Sequence, residues 1–192
     1  MAIDTTHAMT IAEPSTVAVR DAVEEDLSAV SAIYAQHVVN GLASFEEIAP
    51  DAAEMSRRFR ALCDRGLPYL VAELDGTIGG YAYAGPFRPR AAYRHTVEDS
   101  VYVAAEMTGR GIGQSLLTAL IDRCTELDYR QMIAVIGDGD SAGSIRLHQK
   151  LGFRYAAWMP SVGFKHGRWV DLALMQRPLG PGDTVPPSRL QS

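Results

Sequence analysis

The stretch MTGRGIGQSL, residues 107–116, sets glycines at 109, 111 and 113 just ahead of a run with helical spacing. Glycines let backbone N–H groups close on a phosphate, and the positive end of a helix favours the same anion. Arg110-Gly111-Ile112-Gly113, entering a helix directly after a strand, therefore suits a pyrophosphate. A nucleotide-binding P-loop would need a lysine after its last glycine, and none follows here. A dinucleotide fingerprint starting at Gly111 would need a glycine where Leu116 stands. A plain strand-to-helix turn is the remaining alternative.

The segment TVEDSVYV, residues 96–103, has strand character. Alternation puts Glu98, Ser100 and Tyr102 on one face, and Val97, Asp99, Val101 and Val103 on the other. Strands disfavour Glu at their centre, and burying its charge costs free energy. Glu98 is thus either an exposed edge carboxylate or a general base whose partial burial raises its pKa. Immediately upstream, PFRPRAAYRH (86–95) carries Arg88, Arg90 and Arg94. Arginine forks suit carboxylate, phosphinate and sulfone oxygens; the alternative is a solvated basic loop. GDSAG (139–143) fits the G-x-S-x-G elbow of hydrolases. That chemistry needs an acid and then a histidine after the serine. No Asp or Glu lies between Ser141 and His166, and no His follows Asp171, which argues against it.

Positioning these groups requires a scaffold. VAVR (17–20) reads as a first strand, with Asp21 a cap for the helical pattern that follows and Gly41 its stop. A second helix is predicted from Asp51 to about Asp64. YLVAEL and TIGGYAYAG, joined by Asp75-Gly76, read as a hairpin. The strand at 96–103 precedes the glycine turn and the helix GQSLLTALIDRCTEL. QMIAVI is a strand, SAGSIRLHQKLG a helix, and RYAAWM and RWVDLALMQ are closing strands. The order β-α-α-β-β-β-α-β-α-β-β predicts an α/β fold, a mixed central β-sheet flanked by helices. Residues 96–136 form its parallel, right-handed crossover. Residues 1–16 read as a flexible leader, 17–178 as one domain and 179–192 as a flexible tail.

A chain of 192 residues is long enough to bury a sizeable core. The net charge of −5 argues against a non-specific nucleic-acid binder. No apolar run reaches the roughly 18 residues of a membrane span, and the first residues lack the basic and apolar regions of a secretory signal. Cys63 and Cys124 read as reduced thiols of a cytoplasmic protein. No Cys-x-x-Cys or His-x-x-x-His spacing points to zinc, so no metal is expected.

VYVAAEMTGRGIGQSLL resembles the acetyl-CoA motif of the GNAT acyltransferases, R/Q-x-x-G-x-G/A. Gly111 and Gly113 match its two small positions, while Thr108 stands where Arg or Gln is usual. SIRLHQKLGF resembles the second signature, with Ser141 in place of its usual Asn. YAYAGPFRPRAAYRHTVEDSVYV (81–103) and GFKHGRWVDLALMQ (163–176) are similar to the phosphinothricin and methionine sulfone/sulfoximine N-acetyltransferases. The similarity runs from about Val17 to Pro178.

That resemblance implies the GNAT fold and a cytoplasmic, homodimeric, acetyl-CoA-dependent N-acetyltransferase acting on a small amino-acid-like acceptor. It implies Glu98 as the base, through water, and His148 as a donor to the departing thiolate, where a helix-face polar residue is the alternative. His7, His37, His95 and His166 have no comparable context. Acetyl-CoA would be held by residues 109–115 (Gly109, Arg110, Gly111, Ile112, Gly113, Gln114, Ser115), by Ser141 and Ser144, and by the backbone of Val101, Tyr102 and Val103. Phe45, Arg88, Arg90, Tyr93, Ser100 and Tyr102 would face the acceptor. GFKHGRW would reach toward the neighbouring subunit. Rival acceptors are a polyamine, an aminoglycoside or a protein N-terminus. An aminoglycoside site would normally be richly acidic, against the arginine loop. A non-catalytic acyl-CoA sensor is the rival outside enzymes.

Overall fold

The computed structural model describes residues 16–137 and 142–188. The strands are β1 (Ala18–Asp21), β2 (Tyr69–Leu74), β3 (Thr77–Pro86), β4 (Thr96–Val103), β5 (Gln131–Gly137), β6 (Arg154–Lys165) and β7 (Arg168–Pro178). The helices are α1 (Leu27–Asn40), α2 (Ala52–Cys63), α3 (Ile112–Glu126) and α4 (Ala142–Lys150). The sheet runs β1-β2-β3-β4-β5-β7-β6. Every neighbouring pair is antiparallel except β4 and β5, which are parallel across the α3 crossover.

Strand alternation sorts the side chains into two cores. One face of β2, β3, β4, β5 and β7 packs Leu70, Ala82, Val97, Ala134 and Met175 against Leu116, Leu117 and Leu120 of α3. The other face carries Tyr69, Tyr81 and Tyr102, covered by Val30, Tyr34 and Val38 of α1 and by Met55 and Phe59 of α2. The tyrosines form a ladder, with Tyr81 and Tyr102 stacked at 5.2 Å and Tyr69 and Tyr83 likewise.

The β2–β3 turn is the expected Asp75-Gly76 pair, both at positive φ as a type I′ turn requires. Asp51 caps α2 by accepting from the Glu54 N–H at 2.8 Å. Gly41 ends α1. Asp21 does not cap a helix: it is the last residue of β1, and a 3-10 turn (Glu24–Asp26) intervenes before α1. Asp26 reaches back to accept from the Val23 N–H at the start of that turn, and its side chain does not cap α1. The closing strands are longer than RYAAWM and RWVDLALMQ suggest, joined at His166-Gly167, again both at positive φ.

Residues 179–188, expected to be a loose tail, are held in place. Leu179 is buried in the α3-side core. Arg130, itself buried, donates to the Gly182 and Pro186 carbonyls, and Asp128 accepts from Ser188. Composition reads as disorder here because it misses a buried cation in need of acceptors.

Candidate active site

The β4–β5 ladder is short. It pairs Thr96 with Gln131 and ends at Asp99 with Ala134. Yet β4 continues along β3 to Val103, and β5 continues along β7 to Gly137. The two parallel strands therefore part company beyond Asp99, and the sheet opens between Ser100–Val103 and Val135–Gly137. Backbone groups facing that opening have no partner on the other strand; the His37 ring binds the Val103 carbonyl instead, and the N–H groups there suit a ligand's acceptor atoms.

Glu98 lies one residue before the opening, paired with Gly85 on β3 and Ile133 on β5. Its side chain is one-third exposed. Burial pushes its carboxyl above the usual carboxylate range; Arg88 opposes that shift and Asp99 adds to it. Arg88 Nη1 is 4.0 Å from Glu98 Oε2. The Arg88 guanidinium lies over the Phe87 ring at 4.3 Å, and Phe87 meets Tyr93 edge-on. Arg88, Arg90 and Tyr93 line one surface depression of about 420 Å³ with Phe87 and Pro89. The structure thus brings Arg88, Arg90 and Tyr93 together, with Arg88 reaching toward Glu98. Ser100 and Tyr102 share its strand face.

The glycine turn follows β4 through a 3-10 turn (Ala105–Met107). Gly109 and Gly111 have φ of 78° and 85°. Gly111 is the N-cap of α3, so the left-handed residue aims the unpaired first-turn N–H groups outward. Gly109, Arg110 and Gly111 are exposed, whereas Ile112 is buried in the core. Its backbone, not its side chain, is what a ligand would meet. A Cβ on Gly113 would sit 3.3 Å from Leu147 and 3.5 Å from Val103, so this position lets α3, α4 and the end of β4 converge. Gln114 accepts from Lys150 of α4 at 2.7 Å. Ser115 donates its backbone N–H to Gly111 within the helix. Ser144 lies in the first turn of α4, and Ser141, with the GDSAG serine elbow, lies outside the described residues.

His148 lies where α4 meets β4. It is buried on α4, with Nε2 3.0 Å from Asp99 Oδ2 and Nδ1 2.7 Å from the Ser144 carbonyl. Both ring nitrogens face acceptors, which fits an imidazolium. The Asp99 carboxylate and the Ser144 carbonyl together raise its pKa against the opposing effect of burial. Asp99 alternates with Glu98, so the pair occupies the α3–α4 side of the sheet. Each ring N–H then donates to its own fixed acceptor, and the ring is buried rather than displayed on the helix surface.

Three further groups surround the opening. His37, at the end of α1, has Nε2 2.9 Å from the Val103 carbonyl at the end of β4. Phe45 lies on Gly137 at the end of β5 and on Gly163 of β6, where added Cβ atoms would come within 3.2 and 2.6 Å of its ring. Lys165 of β6 is buried and donates to the Gly41 and Ser44 carbonyls at 2.9 and 2.7 Å. Sequence reading found Phe45 only by resemblance and missed His37 and Lys165. Asp99 was the one legible signal, a charge among valines on an apolar strand face. Among the described residues, no cluster of His, Cys, Asp and Glu could hold a metal, and no helix is long and apolar enough to cross a membrane.

The profile of the acetyltransferase (GNAT) domain matches residues 19–174. The chain is 54% identical over 164 residues to phosphinothricin N-acetyltransferase of Alcaligenes faecalis, covering 85% of this chain and 83% of that one. It is 43% identical over 169 residues to the L-methionine sulfoximine/L-methionine sulfone acetyltransferase of Pseudomonas paraeruginosa, covering 88% and 98%. It is also similar to the crystal structure of a GNAT superfamily phosphinothricin acetyltransferase from Sinorhizobium meliloti in complex with AcCoA. That similarity has a TM-score of 0.87 and 49% identity, covering 93% of this chain and 95% of that one.

Proposed function

The chain belongs to the GNAT acetyltransferases, and from that premise we propose that it acetylates the α-amino group of a small amino acid whose side chain ends in a tetrahedral, oxygen-bearing phosphorus or sulfur, as in phosphinothricin, methionine sulfoximine or methionine sulfone. The observation that carries this reading is the half-buried Glu98 at the mouth of the β4–β5 opening with Arg88 4.0 Å away. A base for an ammonium group and a fork for an oxyanion then stand side by side.

Acetyl-CoA supplies the acyl group as a reactive thioester. The first-turn N–H groups of α3 beyond Gly111 suit its pyrophosphate. The N–H groups of Val101–Val103 that face the opening suit its acyl carbonyl and the oxyanion that develops there. Glu98 takes a proton from the acceptor's ammonium group, through water, and its raised pKa keeps the carboxylate basic enough to do so. Arg88 and Arg90 orient the acceptor by its anionic oxygens. A thiol's ordinary pKa of about 8.5 lets the thiolate leave near neutrality without a dedicated acid. His148 then serves to dock α4 on β4 through Asp99.

Tyr155, Trp158, Val162, Phe164 and Trp169 leave an exposed apolar band on the β6–β7 hairpin, which supports a homodimer built on that surface. Cys63 and Cys124 are free thiols, which supports a cytoplasmic setting. The deciding experiment is thiol release from acetyl-CoA with methionine sulfone, methionine sulfoximine, phosphinothricin, spermidine and kanamycin. Release with the first three alone supports the reading. Release with a polyamine or aminoglycoside alone would overturn the acceptor assignment.

A further inference from the structure

Lys165 is 3% exposed, yet no carboxylate lies within ion-pairing distance of it among the described residues. A buried ammonium group is costly unless its donors are met. Two of its three donors go to one short segment, the carbonyls of Gly41 and Ser44. Gly41 caps the C-terminus of α1, the negative end of that helix. Ser44 is a hub: its hydroxyl bonds the Tyr34 hydroxyl at 2.9 Å and accepts from the Glu46 N–H. Glu46 is itself paired with Arg58 of α2.

The segment so held spans the opening in the sheet. At one rim, His37 binds the last carbonyl of β4. At the other rim, a Cβ on Gly137 would lie 2.5 Å from the Leu42 carbonyl, and the Phe45 ring rests on Gly137 and Gly163. Residues 37–45 are therefore a strap from the β4 rim to the β5 rim. Lys165 holds it from the tip of the β6–β7 hairpin, where it pairs with Arg168. The fit leaves no slack, because both glycines are already in contact with the strap.

We infer that Lys165 is a positioning residue for the acceptor amine: its ammonium group fixes the 41–45 strap across the β4–β5 opening and so sets where Phe45 walls the acceptor pocket. The inference rests on the proposed reading that the acceptor enters beside Glu98. The glycine turn that would hold the donor's pyrophosphate is on α3, and the strap's bond to β4 is made by His37 and not by Lys165. Loss of Lys165 should therefore separate the two substrates kinetically.

The test uses Lys165→Met and Gly163→Ala, with the KM of acceptor and of acetyl-CoA measured separately and hydrogen exchange followed across residues 37–50. For Lys165→Met, the acceptor KM should rise roughly ten- to a hundredfold, the scale of a misplacement of about 1 Å. The acetyl-CoA KM should stay within about twofold, and amides of the strap should exchange faster while those of β4 keep their protection. Gly163→Ala pushes on Phe45 without touching Lys165 and should raise the acceptor KM in the same way. Faster strap exchange with an unchanged acceptor KM would overturn the inference, as would equal rises in both KM values. If Lys165→Met does not fold, Gly163→Ala decides, and an unchanged acceptor KM sinks the idea. If the wild type turns over only another amine, the acceptor assignment fails while exchange at the strap still tests the clamp.

Discussion

Asp99 and His148, 49 positions apart in the chain, meet at 3.0 Å on the face of β4 opposite Glu98. Adjacent residues on one strand thus serve two different purposes. Glu98 is the proposed base on one face, and Asp99 anchors α4 on the other. Among the described residues Asp99 Oδ1 has no hydrogen-bond partner, and the bond that ties Asp99 to α4 is the one from Oδ2 to the imidazole.

Breaking that pair should destabilise the protein. His148→Gln or Asp99→Ala is expected to cost about 3–5 kcal/mol, the usual range when one partner of a buried ion pair is removed. The effect is pH-dependent. The folded pKa of His148 is raised, so its stabilisation is complete below the ordinary histidine value and is lost as pH rises through the raised value. Urea unfolding of wild type and His148→Gln at several pH values should show the gap widest in mild acid and narrowing toward alkaline pH. A constant gap would mean that the imidazole is neutral.

Glu98→Gln is expected to lower kcat about 100- to 10,000-fold, the range for a lost general base. The acidic limb of kcat/KM should vanish with it. In the wild type that limb lies above the ordinary carboxylate range because burial raises the Glu98 pKa. Arg88 holds the same pKa down, so Arg88→Met should move the limb to higher pH. A limb that stays in place would separate Arg88 from Glu98.

Arg88→Met and Arg90→Met should also weaken the acceptor. A lost charged hydrogen bond is worth about 1.5–3 kcal/mol, roughly a ten- to a hundredfold rise in acceptor KM. Acetyl-CoA affinity, read by calorimetry, should be unchanged. Equal loss with an amino acid whose side chain bears no oxygen, such as norleucine, would remove the arginines from side-chain recognition.

Gly111 has φ of 85°, and an L-residue in that region costs about 1–2 kcal/mol. Gly111→Ala should lose about that much stability and raise the KM for acetyl-CoA as the first-turn N–H groups turn away. Steady-state kinetics with the donor varied gives the answer, and an unchanged donor KM would refute the pyrophosphate role.

Trp169 and Phe164 meet edge-on at 5.3 Å on the exposed hairpin. Replacing both with serine should shift sedimentation from dimer toward monomer while leaving the fold intact. A wild type that already sediments as a monomer would remove the dimer from the proposal.

Much of the scaffold was legible because it is local. Thr96–Val103 reads as a strand from its alternation, Asp75-Gly76 as a type I′ turn, and Gly109–Gly113 as a helix entry. Long-range partnerships were not legible. Nothing around Asp99 announces His148, and nothing in GFKHGRW announces that Lys165 turns inward while Phe164 and Trp169 stay outside. The bound segment at 179–188 was misread for the same reason: its composition is that of a tail, and its order comes from Arg130 and Asp128, more than 50 positions away.

The parting of β4 and β5 has a consequence for the protein's endurance. A sheet normally keeps its unpaired backbone at its rims, whereas here such groups also lie inside, beyond the Asp99–Ala134 pair. Whatever fills that gap binds the folded chain and has no counterpart in the unfolded one. Stability then rises as RT ln(1 + [L]/Kd), about 2.7 kcal/mol at a hundredfold excess over Kd. Under the proposed function that filler is the acyl donor, so the folded fraction of this protein would rise with the donor's supply.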